Sequence, residues 1–452
     1  MSAPRFAVRE IGLYERDVRL RMPFRFGVVT LTGAPQAFVR ARIRLADGRE
    51  AEGAAAELLA PKWFDKDPAL TNEDNFAQLR ASLAHARKAY LAGSADTAFG
   101  HSRANYVAGL VAGYGPALVD RALLDALCRA LGASFYETQR RNAAGIELEG
   151  GDAGAFLAGL APARTIAARH TVGLLDPITA SDVTERIEDG LPQTLEEVLA
   201  RYGQRYFKLK LAGDTATDLE RLAAIAAVLD RADAPYYATL DGNEQYDDVA
   251  GIAGLWRRMK ADPRLARLAA SVLFIEQPIK RQNALAREVA PLAAEIPLLI
   301  DESDDSLDAF PRARTLGYTG VSSKTCKGLY KSIINRARCE SWNRAGGGTR
   351  YFMSAEDLTL QPGLALQQDL ALANLLGIVH VERNGHHYVN GMTRLPEAEQ
   401  AAFLQAHPDL YERSHGAVRV AIRGGRIALG SLGCAGYASA AAPDWKSMRR
   451  VM

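Results

Sequence analysis

Cysteine is scarce in this chain. Four are spread over 452 residues, Cys128, Cys326, Cys339 and Cys434, and none forms a Cys-x-x-Cys pair. Thiols so few and scattered exclude a disulfide framework and fit a reducing compartment. Long apolar runs are missing too. No stretch approaches the roughly 20 residues that a helix needs to cross a bilayer, and the opening Met-Ser-Ala-Pro-Arg-Phe-Ala-Val-Arg-Glu lacks the apolar segment of a signal peptide. The expectation is a soluble cytoplasmic protein with no membrane partner. An excess of one charge is also absent. With 55 basic and 53 acidic side chains the net charge is +2, which makes no case for a nucleic-acid surface.

What is present is ordinary globular material, 48% hydrophobic and 24% charged. Residues 1–60 read as strands. Phe38-Val-Arg-Ala-Arg-Ile-Arg-Leu alternates apolar and polar, and Ala46-Asp-Gly-Arg predicts a hairpin turn into Glu50-Ala-Glu-Gly. Arg21 to Thr30 reads as a loop with two exposed aromatics, Phe24 and Phe26, and Ala54 to Trp63 as another loop. Residues 72–142 look helical, with Asn72 or Asn75 as a cap and Gly132 closing the helix that holds Leu118-Val-Asp-Arg-Ala-Leu-Leu-Asp.

From about residue 165 the pattern changes to short β-rich runs alternating with helical stretches. The predicted strands are 170–175, 206–211, 236–241, 272–276, 298–301, 320–324, 350–353 and 377–382. The predicted helices are 194–202, 216–231, 250–260, 283–295, 305–316, 329–344 and 364–376. Eight βα-like repeats imply a closed parallel barrel rather than an open sheet. Beyond residue 383 the alternation stops. The tail is expected to return to the N-terminal part, with a strand at Val418–Arg423 and a flexible loop at Gly430–Gly436.

In such a barrel, chemistry gathers at the C-terminal ends of the strands. Asp241, Glu276 and Asp301 each end an apolar run there, on the third, fourth and fifth strands. Strand tips about 5 Å apart can converge. Three carboxylates together would repel unless a hard cation such as Mg²⁺ joined them. Taken singly, each acid could equally be a helix cap or loop residue. Lys208 and Lys210, two apart on one strand, share a face, and Lys324 ends the sixth strand across the barrel. Lysines on both sides of a substrate carbon could take a proton from one face and return it to the other. Lys327, one helical turn on, is expected to be solvated. Ser354, Glu356 and Glu382 near strand ends, and Phe24 in the N-terminal loop, are candidate substrate contacts. His386-His387 reads as loop, since adjacent side chains point apart and no third ligand is evident.

These motifs resemble the enolase superfamily, specifically its muconate-lactonising-enzyme-like subgroup. The residues that carry the resemblance are Lys208-x-Lys210, Asp241-Gly-Asn243, Phe274-Ile-Glu276-Gln-Pro278, Asp301-Glu302-Ser303 and Lys324, in that order and at spacings of 35, 25 and 23 residues from Asp241 to Lys324. The resemblance spans nearly the whole chain. It implies a modified (β/α)₇β TIM-type barrel over residues 161–385. An α+β capping domain would be built from residues 1–160, with residues 386–452 returning to it. It further implies one Mg²⁺ per active site on Asp241, Glu276 and Asp301, with Asn243 and Glu302 supporting them. Lys210 and Lys324 would be the acid/base catalysts, and Lys208 would position the carboxylate of a small-molecule substrate. Arg350-Tyr-Phe-Met-Ser-Ala-Glu has no histidine, and Lys324 stands where the His–Asp subgroup has an aspartate, so that subgroup is rejected. Gly242 stands where alanine is more usual.

The implied activity is Mg²⁺-dependent abstraction of a proton α to a carboxylate, leading to racemisation or epimerisation. Cycloisomerisation and dehydration share the first half-reaction. A non-catalytic ligand-binding barrel is the reading from another class. The chain is expected to form a homo-oligomer.

Overall fold

In a computed structural model, which describes residues 3–27 and 29–452, three long strands open the chain. They are β1 (Phe6–Phe26), β2 (Val29–Leu45) and β3 (Glu50–Leu58). They pair antiparallel, and the C-terminal β15 (Arg449–Arg450) adds to the free side of β1. The alternation in β2 sets its faces: Val39, Ala41, Ile43 and Leu45 are buried, while Arg42 and Arg44 face solvent. The helix Leu110–Leu131 lies on the buried face, with the helix Asn72–Ala92 beside it.

Contact between sheet and helix is backbone to backbone at Gly53. A Cβ there would stand 2.1 Å from the Ala126 nitrogen and 2.3 Å from the Ala122 oxygen. Deep in the same layer the Arg121 guanidinium pairs with Glu57 at 2.9 Å, both fully buried. Glu57 in turn accepts a bond from the Thr325 hydroxyl at 3.0 Å, which ties the cap to the barrel one residue past Lys324.

The barrel is closed and all-parallel. Its strands are β4 (Thr165–Val172), β5 (Tyr206–Lys210), β6 (Tyr237–Asp241), β7 (Val272–Glu276), β8 (Leu298–Ile300), β9 (Gly320–Ser323), β10 (Phe352–Ala355) and β11 (His380–Arg383). β11 pairs back onto β4, with Glu382 opposite Arg169. Helical segments follow each of the first seven strands, so the expected modified (β/α)₇β barrel with an α+β cap is what the chain forms. Leu, Ile and Val from strands and helices fill the layer between them, each such side chain contributing about 1.5–3 kcal/mol when fully buried.

Several local expectations are corrected. Residues 21–26 and 29–30 are strand, not loop; Phe24 pairs with Leu31, and Phe24 and Phe26 are only 4% and 7% exposed. Val28, Met1 and Ser2, on which parts of the loop and leader expectations fall, lie outside the described residues. Ala54–Leu58 belongs to β3, so that loop begins at Leu59. Thr71, not Asn72 or Asn75, caps the first helix through a reciprocal pair with Asp74. Asn75 is buried instead and accepts a bond from the Lys62 nitrogen at 2.8 Å. Residues 283–295 break into two short helices, Arg281–Ala284 and Ala290–Ala293, with Pro291 in the first turn of the second, where its missing N–H is tolerated.

The tail also differs in detail. β12 (Tyr411–Ser414) and β13 (Ala417–Val420) form their own hairpin, and β14 (Arg426–Ala428) joins the barrel beside the start of β4. The tail meets the cap at several points, among them Tyr388 against Phe24 and Glu399, 2.7 Å from Arg16. The expected flexible loop is a fixed turn: Leu432 is buried, and the Tyr437 ring stacks on Phe135 with centroids 4.1 Å apart.

The close approach at Gly53 yields a stability test. Gly53→Ala should cost about 1–3 kcal/mol through overpacking, whereas Gly254→Ala, with no atom within 4 Å of the new Cβ, should be neutral or slightly stabilising. Thermal unfolding followed by circular dichroism distinguishes them; equal Tm values would remove the packing argument.

Candidate active site

The strand register brings the predicted residues together. Lys210 lies opposite Asp241 across β5 and β6, and Asp241 opposite Glu276 across β6 and β7. Asp301 follows β8 directly, and Lys324 follows β9. Since β5 and β9 are four strands apart in an eight-stranded ring, Lys210 and Lys324 face each other across the barrel mouth. Both line one cleft, together with Lys208, Phe24, Asn243 and Glu382.

Charge is the dominant feature. The Lys208 ammonium is buried among four carboxylates: Glu356 at 2.7 Å, Glu276 at 2.8 Å, Asp241 at 2.9 Å and Glu382 at 3.1 Å. Burial alone would lower its pKa, but these acids outweigh it and hold it well above the ordinary lysine value. Lys210 Nζ contacts Asp241 at 2.6 Å, and Lys324 Nζ contacts Asp301 at 2.6 Å. Burial opposes ionisation of Asp301, yet Lys324, Lys327 and Lys208 keep its pKa well below the ordinary carboxylate range. Glu276 goes the other way. Burial first, then the charges of Asp241 and Glu356, push its pKa well up.

Whether the acids fit a divalent cation can be tested on their own atoms. All three supply hard oxygen ligands of the kind Mg²⁺ takes, and the buried Glu276 Oε2 accepts no aligned hydrogen bond. That oxygen lies 2.8 Å from the Lys208 ammonium, its positive partner here. Among the described residues, however, no group of three or more acidic, histidine or cysteine side chains is closed around one point. Lys208 supplies the compensating charge between Asp241 and Glu276. The donor set fits the ion, and Lys208 competes for the same oxygens.

The supporting shell is strained and cross-braced. Asn243, Glu244 and Gln277, just past β6 and β7, all have positive φ, at 40°, 68° and 31°. Such backbone costs of order 1–3 kcal/mol per residue and persists where its surroundings over-determine it. The Gln277 amide does this: its Oε1 accepts from the Asp301 and Ser303 nitrogens at 2.8 and 3.1 Å, and its Nε2 donates to Ser303 Oγ at 2.7 Å. Asn243 donates weakly to Glu302 at 3.4 Å, and Lys66 from the cap lies 2.5 Å from Glu244 and 3.4 Å from Glu302. Gly242 is explained by its neighbour, since a Cβ would fall 2.6 Å from the Pro278 Cα.

Not every expectation matches its place. Ser354 and Glu356 lie under Lys208, held with the fully buried Arg169, while Phe24 and Glu382 reach the cleft wall. Lys327, expected in solvent, is buried; its Nζ donates to Ser322 Oγ at 2.6 Å and lies 3.1 Å from Asp304 and 3.3 Å from Asp301. A tight turn after β9 folds it inward onto Asp301 and Asp304, which Lys324 and Lys331 also pair. Residues that sequence reasoning passed over include Arg169, Trp63 and Asn384. Arg169 shares a strand face with Thr171, and starting that strand at Thr165 rather than His170 would have found it. Trp63, from the loop after β3, puts its ring centroid 4.4 Å from Lys324 Nζ, and no local pattern signals that.

A scan against protein-family models and a search of curated proteins each return no match. Solved structures do match, over nearly the whole length. A dipeptide epimerase from Cytophaga hutchinsonii, complexed with Mg and the dipeptide D-Ala-L-Val, aligns with a TM-score of 0.62 at 14% identity, covering 98% of this chain and 99% of that one. A muconate lactonizing enzyme from Pseudomonas Fluorescens, complexed with muconolactone, gives 0.61 at 17%, covering 97% of each chain. The L-Ala-D/L-Glu epimerase from Bacillus subtilis gives 0.60 at 16%, covering 96% and 98%. The chain has the fold that these structures share, a closed barrel with an α+β cap. At these identities the likeness establishes architecture, and chemistry must be argued from the side chains.

The paired histidines have a different role from ligation. His386 and His387 sit in the short helix Gly385–Tyr388 and pack against His170, with ring centroids 5.4 and 5.0 Å from it. Neither His386 nitrogen has a protein partner. Burial, then the charges of Arg383 and Arg21, lower the His386 pKa to about 3. Its folded pKa lies below the unfolded one, so the unfolded chain takes up more protons under about pH 6.5 and stability falls as the pH drops. His386→Phe should therefore gain on the wild type by about 2 kcal/mol between about pH 7.5 and about pH 4.5. Denaturant unfolding at the two pH values checks this; a constant difference would contradict it.

Proposed function

We propose that this protein is an enzyme that abstracts the proton α to a carboxylate, with Lys210 and Lys324 working on opposite faces of the substrate carbon. The observation that carries this reading is their convergence: two lysines from strands half a barrel apart reach one cleft, each 2.6 Å from a different acid. Solved neighbours of the same fold include epimerases and a muconate lactonizing enzyme, which supports isomerisation.

Asp241, Glu276 and Asp301 would hold one Mg²⁺, and the ion would supply positive charge next to the substrate carboxylate, where negative charge builds up as the proton leaves. The lysines do the proton handling. Whichever of Lys210 and Lys324 is neutral removes the α-proton, and the other, charged, returns one from the far side. Asp301 keeps the ammonium form of Lys324 favoured against the opposing effect of burial. Lys208, with its carboxylate partners, keeps a fixed charge on the cleft floor. Glu57, which bonds Thr325 and pairs with Arg121, anchors the chain that follows Lys324. The aromatic cap residues exclude water from both lysines.

Exchange of α-hydrogen for deuterium in D₂O, followed by NMR over a panel of chiral carboxylates, tests the shared step. Mg²⁺-dependent exchange is expected. Lys210→Ala and Lys324→Ala should each slow exchange of one enantiomer by about 10²–10⁴-fold while keeping the folded circular dichroism spectrum, at a Tm lowered by the loss of a buried ion pair. Wild-type exchange in both variants would remove the two-lysine arrangement. A panel with no Mg²⁺-dependent exchange would favour a ligand-binding barrel without catalysis. A second measurement addresses the ion directly: Asp301→Asn should weaken Mg²⁺ binding in a calorimetric titration at least tenfold, and unaltered affinity would place the ion elsewhere.

A further inference from the structure

The cleft walls carry information about the substrate beyond its carboxylate. Above the lysines the lining is apolar: Phe24, Phe26 and Leu31 from the β1–β2 hairpin, Ala60 and Trp63 from the loop after β3, and Leu358 from the loop after β10. Phe24 is fixed from behind by Tyr388, with ring centroids 4.3 Å apart. The Trp63 and Phe64 carbonyls both accept from the Arg281 guanidinium, at 2.8 Å each, and Arg281 is itself anchored to Glu244. These walls are therefore preformed and held by the barrel.

An aromatic wall can recognise a cation through its ring faces, but here the protein's own lysines take up that capacity. Lys324 Nζ lies 4.4 Å from the Trp63 centroid, and Lys210 Nζ lies 5.9 Å from both the Phe24 and the Phe26 centroids. The acids on the wall are equally committed. Asp357 pairs with Arg383 at 3.2 Å and accepts from the Leu360 and Asn384 nitrogens, both at 3.1 Å. Glu382 accepts from Thr171 Oγ1 at 2.6 Å, from the Asp357 nitrogen at 2.9 Å and from Lys208 at 3.1 Å. No carboxylate on the wall is left to meet a charged amine on a ligand. Three neutral groups on cleft-lining residues do lack partners, the buried Trp63 indole N–H and the Asn243 and Asn384 side-chain oxygens. One donor and two uncharged acceptors suit a neutral polar group such as an amide.

We infer that the site selects carboxylates whose remaining body is apolar and uncharged apart from a neutral amide, and discriminates against ligands carrying a free ammonium group. The inference rests on the proposed α-carboxylate reading for the orientation of the substrate, and it narrows the class within that reading. The physical reason is desolvation. An ammonium brought against Phe24, Trp63 and Leu358 would lose its hydration and find no unpaired carboxylate in return. An apolar side chain in the same place gains roughly 25 cal/mol for each Å² it removes from water.

N-acetyl-L-phenylalanine and glycyl-L-phenylalanine separate the alternatives, because they differ on the acyl carbon only by an ammonium group. Both are titrated calorimetrically into the full-length protein with and without Mg²⁺, and both are followed for α-deuterium exchange. The acetyl compound should bind at least tenfold more tightly, and N-acetyl-L-aspartate, which has a charged side chain, should bind more weakly than it. Trp63→Phe, which keeps the ring and deletes the N–H, should weaken acetyl-compound binding several-fold without shifting the unfolding temperature. Equal or tighter binding of the glycyl compound, or no binding of either, would overturn the inference. Failure of the underlying reading looks different: the acetyl compound binds preferentially but shows no Mg²⁺-dependent exchange. Exchange confined to the glycyl compound would keep the α-proton chemistry and discard the selectivity.

Discussion

The arrangement at the barrel mouth depends on one constraint, the need to balance buried charge. Asp241, Glu276, Asp301, Glu356 and Glu382 are all almost wholly removed from water. Unpaired, each would cost several kcal/mol. Lys208 is the hub of the solution, within 3.1 Å of four of the five, while Lys324 and Lys327 serve the fifth, Asp301. Much of the local structure follows from this balance. The turn after β9 folds Lys327 inward, Arg169 occupies the barrel interior behind Glu356, and the left-handed backbone at Asn243, Glu244 and Gln277 is tolerated because side chains pin it from several directions.

The same balance connects cap and barrel. Lys66 reaches from the cap loop to Glu244, Arg281 reaches back from the barrel to the carbonyls of Trp63 and Phe64, and Glu57 bonds the residue after Lys324. These ties place aromatic rings over the two lysines proposed to move protons. A cap bound mainly by apolar contact could slide; one held by directed hydrogen bonds between buried groups has a single register. The proposed chemistry and the proposed selectivity draw on this geometry, since the ring faces that exclude water also leave no counter-charge for a ligand ammonium.

Much of the barrel could be read from residues alone. The runs at Tyr206–Lys210, Tyr237–Asp241 and Val272–Glu276 end in chemistry-bearing residues because strand length and the acid at its tip are both local features. Helix caps were less legible. Thr71 won over Asn72 because Asp74 could complete a reciprocal pair, whereas Asn75 was drawn inward to Lys62. The exposed loop expected at Phe24 and Phe26 became buried strand, since a hairpin of this length finds its cover in the barrel, about 360 residues further along at Tyr388.

By itself, then, the sequence determined the order of strands and helices, the closed barrel they form, and the charged residues that stand at its mouth, because periodicity and strand-end position are properties of neighbours along the chain. The tertiary structure decided which charges meet and what covers them. Lys208 at the centre of four acids, Lys327 turned inward, Trp63 over Lys324 and Arg169 beneath Glu356 all arise from residues far apart in sequence. Each such pairing is chosen by the demand that buried charge be matched, and that demand exists only once the chain has closed around it.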